Sequence, residues 1–104
     1  MGVDIAKARR EGLRWNLLAT LHKASPYTSS EVFLLDVMRG IYPEVTALDV
    51  RRELDYLFDR DLIQLNKTPA GTWFADIDRY GTDLVEYSVE CDPGIARPVK
   101  YWAD

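Results

Sequence analysis

The sequence predicts an α+β domain in the order helix–helix–helix–strand–strand–helix, followed by an extended tail. Three observations predict it. Helical apolar spacing dominates the chain up to Phe58, and two short strand-like runs then replace it. Lys67-Thr68-Pro69-Ala70-Gly71 lies between those runs and carries turn chemistry. Asp78 then stands where it can cap a last helix. Residues 1–90 are assigned to the domain and 91–104 to the tail.

The first helix is expected from about Asp4 to Ala24, where Ser25-Pro26 closes it because the residue before proline resists the helical conformation. At about 100° per residue, Leu13, Leu17, Leu21 and Ala24 form the core face. Ile5, Ala8, Gly12, Trp15 and Ala19 form a second apolar face nearly opposite. A helix apolar on two sides has to bury both, against the last helix or against another subunit. The small residues on the second face suit close helix approach, which makes a homodimer seam the sharper of the two expectations.

Thr28-Ser29-Ser30-Glu31 has capping-box spacing and opens a second helix through Val32, Leu34, Leu35, Val37 and Met38, ending near Gly40. Thr46 and Asp49 start the third helix, whose core face is Val50, Leu54, Leu57 and Phe58. Leu62–Leu65 and Thr72–Ile77 form a hairpin. The fourth helix is expected from Arg79 to about Glu90. In the tail, Ile95, Val99, Tyr101 and Trp102 are too apolar to be left in water, so it is expected to pack on the domain or on a partner.

At 104 residues, 47% hydrophobic and 29% charged, the chain has the composition of one soluble domain. No apolar run is long enough for a membrane span. The charged start (Asp4, Lys7, Arg9, Arg10, Glu11) lacks a signal core, and Cys91 is alone. Cytoplasmic residence, in a bacterial host cell, is the expectation. Net charge is −4, unevenly spread: residues 1–23 hold five bases against two acids, and the rest holds eight bases against fifteen acids. The overall field does not point to nucleic acid.

Catalytic chemistry has little to start from. One histidine (His22) and one cysteine (Cys91) stand far apart, and no Gly-x-Ser-x-Gly, phosphate-cradling glycine loop or dinucleotide fingerprint occurs. A non-enzymatic protein with no cofactor and no metal is expected.

The run from Val50 to Ile63, helix into strand, looks like the third helix and first wing strand of a winged helix-turn-helix. Ile77-Asp78-Arg79-Tyr80-Gly81-Thr82-Asp83-Leu84 resembles the winged-helix pattern Leu-Thr-x-x-Gly-x-x-Leu, with Asp78 in place of the capping threonine. The close of the chain, Tyr80-Gly81-Thr82-Asp83-Leu84-Val85 followed by Pro93-Gly94-Ile95-Ala96-Arg97-Pro98, is similar to a small winged-helix family of Mu-like transposable phages and prophages. The resemblance implies a non-enzymatic phage protein encoded among head-assembly and DNA-packaging genes. It brings no functional residues with it.

Two functions follow as expectations. The first is a DNA-binding accessory or regulatory factor taking double-stranded DNA in the manner of winged helices. Thr46, Asp49, Arg51 and Arg52 on helix three and Lys67 on the wing would carry the contact, assisted by Lys7, Arg9, Arg10 and Arg14. Against it, Thr46 to Asp61 holds five acids and three arginines, where a phosphate-lined groove favours positive charge. The second is a protein-interaction module in phage head assembly or packaging. Its surfaces would be Leu48 and Tyr56 on the exposed side of helix three, the face of Ile5, Ala8, Gly12 and Trp15, and Tyr101 and Trp102.

Overall fold

The computed structural model describes residues 2–100. Within them the chain forms α1 (Ile5–Ala24), β1 (Ser29–Ser30), α2 (Glu31–Arg39), α3 (Ala47–Asp59), β2 (Ile63–Lys67), β3 (Trp73–Ile77) and α4 (Arg79–Val85). The result is an α+β arrangement of four helices and a three-stranded antiparallel sheet in the order β1-β3-β2, consistent with a winged-helix-like topology.

Each helix starts where a side chain can accept an orphan backbone N–H. Asp4 receives Lys7 N at 3.0 Å, and α1 ends before the extended Ser25. Thr46 and Asp49 form a reciprocal capping box at the start of α3. For α2 the expected box is corrected. The cap is Ser30, which receives Phe33 N, and the Glu31 carboxylate turns away to other partners. Ser29 and Ser30 are extended ahead of that cap and pair with Ala75 and Phe74, giving the strand β1 that the sequence reading lacked.

The last two helices to end do so by one geometry. After α3, Leu62 N–H donates to Leu57 O and Asp61 N–H to Phe58 O, with Asp61 at φ +63°. After α4, Ser88 N–H donates to Asp83 O and Tyr87 N–H to Leu84 O, with Tyr87 at φ +62°. Both are Schellman closures with a residue other than glycine in the left-handed position. The second stops α4 at Val85, short of the Glu90 expected.

The core gathers Leu13, Leu17, Leu18 and Leu21 of α1, Leu34 and Met38 of α2, and Val50, Leu54 and Leu57 of α3. Leu62, Ile63, Ala75 and Leu84 close it. Phe58, expected in it, is 44% exposed, whereas Glu53, on the other flank of the inner side of α3, is buried. Gly81 sits in α4 where a Cβ would strike the backbone carbonyl of Leu62, so glycine is what lets α4 close on β2.

The tail is bent. Gly94 adopts φ +115° against the Tyr56 hydroxyl, where a Cβ would not fit. Arg14 Nη1 donates to Gly94 O at 2.9 Å, and Ala96 N–H donates to Glu11 O at 3.1 Å. Arg97 Nη1 donates to Leu84 O in the last turn of α4 and to Val89 O beyond it. Tyr87 donates its hydroxyl to Pro98 O at 2.6 Å. The segment is thus strapped across α1, α3 and α4. Tyr101 and Trp102, expected to pack, lie outside the described residues.

Candidate functional site

Helix α3 presents one buried side to the core and one stripe to solvent. Working outward from Val50, Leu54 and Leu57, the stripe opposite is Leu48, Arg52, Asp55 and Asp59. One guanidinium therefore faces two carboxylates, and the residue at the N-terminal end, Leu48, is 57% exposed.

Two of the cations expected to meet DNA are engaged within the chain. Arg51 Nε and Nη2 donate to the two oxygens of Glu31 at 2.6 and 2.7 Å, a bidentate pair. The same Nη2 donates to Gly71 O at 2.6 Å, and the guanidinium stacks 4.5 Å from the Trp73 ring centre. Glu31 also accepts Trp73 N–H at 2.7 Å. Arg51 and Glu31 together bolt the β2–β3 turn to α2 and α3. Arg51, by donating to Glu31, holds its carboxyl below the usual glutamate range. Lys67 Nζ lies 2.9 Å from Asp55 Oδ1 and 4.4 Å from the centre of the Trp73 ring.

The oxygen groups are engaged as well. Thr46 and Asp49 cap each other across the start of α3. Thr28 donates to Asp76, and Ser30 caps α2. Among the described residues no aspartate of α3 pairs with an arginine of the same helix: Arg51 pairs with Glu31 of α2, and Asp55 with Lys67 of the hairpin.

Arg52 has a different neighbourhood. It lines a cleft of about 240 Å³ with Arg9 and Arg10 of α1, over Leu13, Tyr42 and Val45. Arg9 reaches Glu44 at 3.9 Å, while Arg10 and Arg52 make no ion pair among the described residues. The carboxylates lining the cleft already have partners: Asp49 caps α3, and Glu53 accepts Arg14 Nε at 2.7 Å. The structure thus brings Arg52 to the basic start of α1 and keeps it apart from Arg51 and Lys67.

The expected apolar surfaces divide similarly. Gly12 lies beneath the Tyr42 hydroxyl, where a Cβ would come within 2.5 Å of it, and Trp15 is half-buried against the core. The α2–α3 connection thus covers part of the second face of α1, which was expected to meet α4 or another subunit. Ile5, 74% exposed, and Ala8 remain open. Tyr56 is half-buried between Arg14 and Arg60, whose guanidinium carbons lie 3.6 and 4.1 Å from its ring centre. It belongs to the strap and is no free anchor.

A further apolar surface stands beside Leu48. Val32 is 60% exposed and lines, with Leu35, Ala47 and Leu48, a shallow groove of about 380 Å³ between α2, the start of α3 and the hairpin turn. A separate hollow beside β1 is lined by Tyr27, Phe33 and Phe74. The sequence signal for these surfaces was present, since Val32 and Phe33 both fall inside an amphipathic helix whose core needs only Leu34 and Met38.

His22 Nε2 lies 2.9 Å from Glu86 on the surface. Cys91 is half-buried, and burial pushes its thiol up. Among the described residues no group of His, Cys, Asp or Glu is placed to hold a metal ion, and no helix is long and apolar enough to cross a membrane. Comparison with protein-family models, curated proteins and solved structures finds no match.

Proposed function

We propose that this chain is a non-catalytic winged-helix module of a phage or prophage, and that it works by binding a protein partner on its α2–α3 face. One observation carries the reading. Arg51 and Lys67 flank that face and are held by Glu31 and Asp55, while Val32 and Leu48 are left open at its centre. A phosphate backbone gains its affinity from cations free to displace counterions. An interface gains it from desolvated apolar anchors. The surface offers the second. The complementary partner therefore carries an apolar anchor that fits between Val32 and Leu48.

The resemblance to Mu-like phage proteins directs the test toward head-assembly and packaging proteins of such phages. Each would be titrated onto the immobilised chain, with Leu48→Asp as the variant. Leu48 is too exposed for that change to disturb the core. Binding that survives 0.5 M salt to within about threefold and is lost in the variant is the expected result. Equal binding by the variant would remove α2–α3 as the contact.

A second reading rests on a separate observation. Arg9, Arg10 and Arg52 converge on one cleft, with Arg10 and Arg52 free of carboxylate partners among the described residues. If the chain binds DNA, this edge is its phosphate contact, and Arg52→Gln tests it without touching the Arg51 clamp.

A further inference from the structure

The sheet order β1-β3-β2 leaves β2 (Ile63–Lys67) at an edge. Its register against β3 pairs Gln64 with Asp76 and Asn66 with Phe74. The flanking bonds Asp78 N–H to Leu62 O and Thr68 N–H to Thr72 O fix which residues turn their main chain inward. Those are the even-numbered ones. The N–H and C=O groups of Ile63, Leu65 and Lys67 therefore point away from β3, along the free edge. Among the described residues no backbone or side-chain group bonds to them from the outer side.

An edge of this kind invites another strand, and proteins that keep it single blunt it with short strands, lysines, inward charges, prolines or bulges. Ile63-Gln64-Leu65-Asn66 has no charge, proline or bulge. The first charge is Lys67, and its ammonium is held by Asp55 of the same chain. The strand is also self-complementary. Laid antiparallel on a second copy with the two-fold axis at Leu65, it would set Gln64 of one copy opposite Asn66 of the other. Ile63 would fall opposite Lys67, so no like charges meet.

We propose that a second copy of this chain docks on the β2 edge, joining two three-stranded sheets into one through about six main-chain hydrogen bonds centred on Leu65. The contact uses neither the α2–α3 groove nor the arginine cleft, so it stands or falls apart from the functional reading above. It would place two copies of that groove on one particle, which raises the avidity of any partner carrying repeated anchors.

Light scattering behind size exclusion tests this with charges placed across the axis. The wild type is expected at twice the 12.0 kDa chain mass. Gln64→Lys/Asn66→Lys sets like charges opposite each other and is expected to run as a monomer. Gln64→Lys/Asn66→Glu sets opposite charges there and is expected to remain a dimer. Both positions are exposed, so neither change enters the core, and circular dichroism checks that all three fold. A monomeric wild type overturns the proposal, as does a dimeric Lys/Lys variant or a monomeric Lys/Glu variant.

Discussion

Arg14 shows how much one side chain can hold. Its Nε donates to the buried Glu53, its Nη1 to Gly94 O, and its plane lies on Tyr56, so α1, α3 and the tail meet on one guanidinium. Glu53 keeps only 6% of its side-chain surface in water. Arg14→Ala would strand that carboxylate, and leaving one partner of a buried pair uncompensated costs about 3–5 kcal/mol. Chemical denaturation is expected to show a loss of that size, whereas Arg14→Ala in a Glu53→Met background should cost much less. A loss unchanged by the second substitution would show that Arg14 acts through the tail alone. Little of this was legible in the sequence. Glu53 reads as one more surface acid of an acidic helix, and only the approach of α1 shows that it faces inward. The Pro93–Pro98 motif was legible as distinctive, but its use was not: Gly94 serves the Tyr56 contact and Arg97 serves the end of α4.

Among the elements, the hairpin depends most on a single contact. Glu31 accepts two bonds from Arg51 and one from Trp73 N–H, and Arg51 donates a further bond to Gly71 O. The Glu31 carboxyl is held below its ordinary value chiefly by the bond from Arg51, so its contribution is complete above the ordinary glutamate range and is lost as pH falls through the lowered value. Hydrogen exchange should find the Trp73 amide losing protection in that acidic window, and Glu31→Gln should lose roughly tenfold of it at neutral pH. Protection independent of pH in the wild type would remove Glu31 from the clamp. Helix starts were legible here because Thr46, Asp49 and Asp78 announce them. The ends of α1 and α2 were legible too, at Ser25-Pro26 and Gly40, but the end of α4 was not, because Tyr87 closes it in a conformation that glycine normally signals. β1 escaped notice because two serines carry no alternation to read, and its existence depends on where β3 lies.

For the whole molecule, association and partner choice separate onto different surfaces. Gly12 and Trp15, half of the seam expected on α1, are occupied within the chain, which leaves Ile5 and Ala8 to be tested as a rival dimer contact. Ile5→Glu is expected to leave the oligomeric state unchanged by light scattering; conversion to monomer would return the seam to α1. Charge is also partitioned, with Arg9, Arg10 and Arg52 on the α1–α3 edge and the bound cations Arg51 and Lys67 beside the apolar groove. The net acidity of α3 was plain from its sequence. Which cations were spent was not, since Glu31 and Asp55 reach across elements to neutralise them.

The most direct test is fluorescence anisotropy of a labelled DNA duplex across a salt series, with wild type, Leu48→Asp and Arg10→Gln/Arg52→Gln. A protein-binding α2–α3 face predicts no binding above background at physiological salt for any of the three. Tight binding that falls steeply with salt and disappears in the arginine variant would contradict it and make the α1–α3 edge a DNA contact.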